Sequence, residues 1–270
     1  MQKLRYAVAA LLIILALAGS IYYIIPGLQF RNVDLIKGTT TSSLIGIDVS
    51  RVAYYPEAVG YLAIPNLPGK LPGVVMIHEW WGLNDNIKGM AQQLAMEGYV
   101  VLAVDLYNGT VASTASEASS LVSKLNSTDV VKNLRAAVNY LRSSDRVNPT
   151  RIGSIGWCFG GGQSLRLALS GEQLAATVIY YGQLETDPLK LSVIKWPVLG
   201  IFGDQDKSIP VERVRAFESS LKQLGVPVEI HVYPGVGHAF ANPSGQTYAP
   251  KETVDAWQKT TAFFTSTLKQ

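Results

Sequence analysis

From about residue 50 onward, short apolar runs alternate with stretches whose apolar residues recur at helical spacing. Gly73–Ile77, Tyr99–Val104, Ile152–Ile155, Ala176–Tyr180, Pro197–Phe202 and Val228–Tyr233 have the length and β-branched content of buried strands. Between them, Met90 and Leu94 mark a helix over Ile87–Gly98. Val131, Leu134, Val138 and Leu141 mark another over Val130–Arg142, and further helices are predicted over Gly161–Ser170, Val211–Leu224 and Lys251–Leu268. Strand and helix in alternation at this spacing predict an α/β fold, with a mostly parallel, doubly wound sheet and helices on both faces. Val52–Tyr55 and Val59–Ile64, closed by Pro65-Asn66-Leu67-Pro68-Gly69, predict a hairpin at the sheet edge. The polar stretch Asn108–Asp129 predicts one short helix in a segment placed to lie over the site. Asn108-Gly109-Thr110 and Asn126-Ser127-Thr128 within it match the glycosylation acceptor pattern, which short polar loops often reproduce by coincidence.

The N-terminus breaks the pattern. After Lys3 and Arg5, the run Tyr6–Ile25 carries no charged residue and is about long enough to span a bilayer as a helix. Residues 1–28 are therefore expected to be a signal anchor or a signal peptide, residues 29–50 a polar tether, and residues 51–270 one catalytic-sized domain. Ala16-Leu17-Ala18 before Gly19 resembles a signal-peptidase site, but the apolar run continues to Ile25 and stops only at Pro26, which favours an uncleaved anchor. In either case the basic end is expected to stay inside and the body outside, membrane-anchored or secreted.

Composition narrows the chemistry. The chain has 270 residues, 48% of them apolar, enough to bury a full core. Without Lys3 and Arg5 the remainder carries 21 basic residues against 20 acidic ones. So neutral a body lacks the concentrated basic face that nucleic acid requires. The one cysteine excludes an internal disulfide and a cysteine-rich metal site, and no metal-ligand spacing links His78, His231 and His238. No metal and no cofactor are expected.

That cysteine sits in Ile152-Gly153-Ser154-Ile155-Gly156-Trp157-Cys158-Phe159-Gly160-Gly161-Gly162, an apolar run leading through a glycine-flanked turn into a predicted helix. This is the outline of a nucleophile elbow, with Gly156, Cys158 and Gly160 at the three positions of G-x-S-x-G and sulfur replacing oxygen. The following helix N-terminus favours negative charge and so a thiolate. A lone cysteine in a glycine-rich turn is also compatible with a small buried hydrophobe. Its partners weigh against that. Gly203-Asp204-Gln205-Asp206 follows one strand and Gly235-Val236-Gly237-His238 follows the next, in the chain order nucleophile, acid, histidine. His238 would take the thiol proton and an aspartate would orient the ring. Asp206 is preferred to Asp204 because it lies further into the loop, where Asp204 would brace the turn. His231 lies inside a strand and reads as structural. His78 ends a strand beside Glu79, within reach of the site but out of order for the base.

His78-Glu79-Trp80-Trp81-Gly82, Asp105-Leu106-Tyr107, Gly156-Trp157-Cys158-Phe159-Gly160-Gly161, Gly203-Asp204-Gln205-Asp206 and Gly237-His238-Ala239-Phe240 together resemble the dienelactone hydrolase family, over most of the chain from about Val52. The resemblance implies an α/β-hydrolase domain that cleaves esters or lactones through an acyl-enzyme, with Cys158, Asp206 and His238 as triad. It also implies that Glu79 contacts the resting thiol. Since a carboxylate opposes a neighbouring thiolate, that contact requires substrate binding to move one of the two. Backbone N–H groups of Trp80 and Phe159 would form the oxyanion hole. Trp80, Trp81 and Tyr107 would wall the pocket. Where members acting on dienelactone often carry an arginine, this chain has Asn242, which cannot form a bidentate ion pair with a substrate carboxylate. Two other classes compete. A thiol redox enzyme would want a second cysteine, whereas an inactive binding module on the same fold, tethered to the membrane, would keep the scaffold without the turnover. The anchor is expected to leave the mature protein at full length, read as intact mass; a chain beginning at Gly19 would replace it by secretion.

Overall fold

The computed structural model describes residues 45–270 in full. Ahead of them it describes only the backbone of three strands, β1 (Ile14–Leu17), β2 (Ser20–Ile25) and β3 (Leu28–Asp34), paired antiparallel in the order β1-β2-β3. These belong to a unit of their own, Met1–Ile45. The rest of the anchor or signal expected over residues 1–28, and residues 35–44 of the tether expected after it, lie outside the described residues. No helix among the described residues is long and apolar enough to cross a membrane.

The second unit runs from Gly46 to Gln270. It opens with the antiparallel hairpin of β4 (Ile47–Tyr55) and β5 (Ala58–Pro65), followed by β6 (Leu71–Ile77), α1 (Asp85–Met96) and β7 (Val100–Ala103). Helices α2 (Ala115–Lys124) and α3 (Ser127–Ser143) lead to β8 (Val147–Trp157), α4 (Phe159–Leu169) and β9 (Ala176–Tyr180). The chain ends with α5 (Pro188–Leu191), β10 (Val198–Gly203), α6 (Val211–Gln223), β11 (Val228–Tyr233) and α7 (Pro250–Leu268). The eight strands lie in the order β11-β10-β9-β8-β6-β7-β5-β4. All pairs from β11 to β7 are parallel, and β7-β5 and β5-β4 are antiparallel.

Because strand side chains alternate between faces, each central strand feeds two cores. Val75 and Ile77 of β6 join Leu134, Val138 and Leu141 of α3, Leu165 of α4 and Phe217 of α6 on one face. Val74 and Met76 join Ile87 and Leu94 of α1 and Phe263 and Phe264 of α7 on the other. Helix entries are closed locally. Asn84 accepts from the Ile87 N–H, Thr114 and Glu117 form a capping box, and Asn126 accepts from the Thr128 and Asp129 N–H groups.

Two boundaries differ from the sequence expectation. The domain starts before residue 51, because Ile47 already pairs with Pro65 across the hairpin. Residues 48–51 face solvent on an edge strand, so their polar pattern resembled a tether. Strand β8 begins at Val147 rather than Ile152, running through Asn148-Pro149 with a shifted register against β6. The one-turn helix α5 had no periodic signal.

The tightest packing is at the junction of β8 and α4. A Cβ on Gly156 would stand 2.1 Å from the Gly160 carbonyl oxygen, and one on Gly160 would stand 2.4 Å from the carbonyl oxygens of both Ile77 and His78. Gly156→Ala is therefore expected to destabilise the domain by about 2–3 kcal/mol or more, read as a lower urea midpoint at unchanged slope. An unchanged midpoint would show that the junction can relax.

Candidate active site

All the chemistry-bearing residues leave the C-terminal ends of parallel strands, the edge where a doubly wound sheet presents its ligand crevice. His78 and Glu79 follow β6, Asp105 follows β7, Cys158 follows β8, Tyr181 follows β9, Asp204 and Asp206 follow β10, and His238 follows β11.

Cys158 sits between β8 and α4 with φ 55° and ψ −117°, in the positive-φ region that a non-glycine residue enters only when its surroundings hold it there. Its N–H is fixed to the Tyr180 carbonyl at 3.0 Å. No side chain caps α4, so the N–H groups of its first turn have no side-chain partner. Cys158 is half-buried, and 31% of the His238 side chain is exposed, so the pair can be reached from solvent.

The Cys158 Sγ lies 3.0 Å from His238 Nε2, and His238 Nδ1 lies 2.7 Å from Asp206 Oδ2. Asp206 Oδ1 accepts from the N–H groups of Ser208 and Ile209. Burial pushes the Asp206 carboxyl up, but His238 and these N–H groups outweigh it and hold the group below the usual carboxylate range. For His238, burial works against the charge, while the bonds to Asp206 and Cys158 more than offset it and raise the imidazole to about 10. Asp204 instead accepts from the Gly235 N–H at 2.7 Å, tying the β10 turn to the β11 turn. His231 lies in edge strand β11 beside Glu229, away from this cluster.

Glu79 is buried, and its Oε2 accepts from Asn242 Nδ2 at 2.6 Å. Burial raises its carboxyl to about 7, against the opposing pull of His238 and Asn242. The family resemblance implied a contact between Glu79 and the resting thiol; no hydrogen bond joins the two among the described residues. The sulfur is taken by His238 and the carboxylate by Asn242. Asn242 is itself buried, and its Oδ1 accepts from the Ser244 N–H, so the side chain holds Glu79 instead of lining an open pocket.

The aromatics divide. Trp80 and Trp81 are half-exposed and meet edge to face at 5.1 Å. Tyr107 is buried between His78 (4.8 Å between centroids) and Phe159 (6.1 Å), behind the turn that carries Cys158. Tyr181 was not singled out from the sequence. Its ring meets His238 edge-on at 5.3 Å, from a backbone with φ 36°, and packs against Phe240 behind it. Its position directly after a buried strand was the available signal. The hydroxyls of Tyr107 and Tyr181 are buried with no hydrogen-bond partner among the described residues. No group of three or more His, Cys, Asp or Glu side chains among those residues is arranged to hold a metal ion.

Comparison with known proteins agrees with this arrangement of strands and loops. Residues 59–268 match the model of the dienelactone hydrolase family. The chain is 35% identical over 213 residues to protein usf of Aquifex pyrophilus, covering 76% of this chain and 91% of that one. It is 31% identical over 218 residues to a protein of Aquifex aeolicus named "Putative carboxymethylenebutenolidase", covering 78% and 94%. Among solved structures, a dienelactone hydrolase-like promiscuous phosphotriesterase from metagenomic libraries superposes with a TM-score of 0.76 at 25% identity, over 82% of this chain and 98% of that one. The chain belongs to the dienelactone hydrolase family and is a hydrolase with an α/β-hydrolase-like fold.

Proposed function

We propose that this hydrolase cleaves an uncharged ester or lactone through a thioester intermediate on Cys158. The observation that carries the reading is the chain of contacts from Sγ through His238 to Asp206, 3.0 and 2.7 Å long, at the open edge of the sheet. His238 holds the thiol proton, and the sulfur attacks the substrate carbonyl to form a C–S bond. The oxyanion that develops is met by the N–H groups of Trp80 and Phe159, neither of which has another partner among the described residues. Collapse breaks the C–O bond, and His238 gives its proton to the departing alkoxide. Water, deprotonated by His238, then attacks the thioester and releases the acid and the thiol. Asp206 keeps Nδ1 protonated and offsets the imidazolium charge throughout.

The preference for an uncharged substrate rests on Glu79 and Asn242. The residue that would have to bind a substrate carboxylate is a neutral amide with one of its two N–H donors committed to Glu79, and Glu79 would repel an anion when ionised. We further read the uncharged run Tyr6–Ile25 as keeping the catalytic unit at or beyond a membrane, on its extracytoplasmic side.

A panel of activated esters and lactones, with and without a carboxylate, tests this reading. Cys158→Ala is expected to lower turnover by at least about a thousandfold, Asp206→Asn by on the order of a hundredfold or more, and Asp204→Asn by less than about tenfold. Turnover that survives in the alanine variant rejects the thioester, and a carboxylate-bearing substrate preferred to its neutral analogue rejects the assignment of Asn242. A second measurement concerns Glu79. Its carboxyl is raised from 4.5 to about 7, so the folded state binds the proton more tightly and stability falls as pH rises through that interval. Glu79→Gln keeps an oxygen for Asn242 and removes the buried charge. It is expected to gain on the order of 3 kcal/mol in urea unfolding near pH 8 and little near pH 4; an equal change at both would reject a buried carboxylate as the cause.

A further inference from the structure

We propose that His78 is a positioning residue that aims the Trp80 N–H donor at the developing oxyanion. This rests on the reading of Trp80 as an oxyanion donor given above. His78 ends β6 with no exposed surface, and both ring nitrogens are used. Nε2 accepts from the Leu106 N–H at 3.2 Å, so the proton is on Nδ1, which donates to the Glu79 carbonyl oxygen at 2.5 Å. The Gly82 N–H reaches the same oxygen at 3.2 Å. That carbonyl belongs to the peptide whose other half is the Trp80 N–H. In a trans peptide the two point in opposite directions, so fixing one fixes the other. The held carbonyl carries two donors, while the Trp80 N–H has no partner among the described residues. The Trp80 N–H is thus fixed in direction and left without a protein partner on a half-exposed residue beside the cleft.

The ring is held in turn. Tyr107 packs on it at 4.8 Å and Phe159 at 6.2 Å, and Phe159 carries the second proposed donor. The Leu106 N–H comes from the turn after β7, where the buried Asp105 accepts from Tyr107 and Gly109. Burial holds the ring below its ordinary pKa, so it stays neutral, as the Nε2 acceptor role requires. The same turn ties to the donor loop a second time, through the Ala112 N–H and the Trp81 carbonyl at 2.9 Å. The two loops are therefore joined at two points, with His78 as the pin between them.

Two substitutions separate the ring's two bonds. Asn places an amide N–H near the position of Nδ1 and keeps the donor to Glu79. Gln places an oxygen near the position of Nε2 and keeps only the acceptor for Leu106. Turnover of a neutral activated ester is to be measured beside alkylation of Cys158 by iodoacetamide, which needs the thiol and His238 but no oxyanion hole. His78→Gln is expected to lower kcat by on the order of a hundredfold, with KM and the alkylation rate within about threefold of wild type; His78→Asn is expected to recover most of kcat. Wild-type turnover in the Gln variant, a parallel fall in alkylation, or an Asn variant as impaired as the Gln variant would overturn the assignment. If only the Gln variant fails to fold, the Asn variant decides by its kcat; if neither folds, His78 serves the fold and the assignment fails. A wild type inactive on every ester rejects the hydrolytic reading and this one with it, whereas an active wild type with an unaffected Gln variant rejects this one alone.

Discussion

The close approach of backbone to backbone at the end of β8 is the constraint on which the site depends. Gly156 lies against the Gly160 carbonyl, and Gly160 lies against the carbonyls of Ile77 and His78. With no side chain to keep them apart, the start of α4 seats directly on the ends of two neighbouring strands. The chain can make so abrupt a turn only by taking Cys158 to φ 55°. That strain is useful in place. It lifts the sulfur off the sheet toward the β11 loop and leaves the uncapped start of α4 facing the same space.

Electrostatics then divides the work among buried groups of different charge. His78 is kept neutral by burial and spends both nitrogens on backbone. His238 is raised to about 10 by Asp206 and Cys158. Asp206 is kept ionised by three donors, while Glu79, with one amide donor, is near its midpoint at about 7. Two histidines and two carboxylates in one cluster thus differ because burial prevails at His78 and Glu79, whereas hydrogen-bond and charge partners outweigh it at His238 and Asp206. Asn242 is central to that division. An amide in its place holds Glu79 without adding charge, and the cleft remains without a fixed cation at that position.

Much of this was legible before any coordinates. The alternation of buried runs and helical periods specifies a doubly wound sheet, because strands covered on both faces must be apolar at every position and their crossovers at every third or fourth. The glycine-flanked cysteine and the order of Cys158, Asp206 and His238 follow from strand ends, and strand ends are visible where apolar runs stop. The N-terminal part of β4 was not legible, because an exposed edge strand carries no burial pattern. Neither was α5, whose single turn is too short to show a period.

Tertiary structure alone decided which atoms meet. Position in the loop favoured Asp206 over Asp204, but only the fold shows the partners, turning Asp206 to His238 and Asp204 to the Gly235 N–H. It likewise draws Asn242 to a carboxylate 163 residues away, and closes His78 onto its own neighbour's carbonyl and onto Leu106. The division has one physical cause. Periodicity records which face of an element is buried, and burial is a property of each segment, whereas hydrogen bonds across the cleft depend on distances between segments that only the packed sheet fixes.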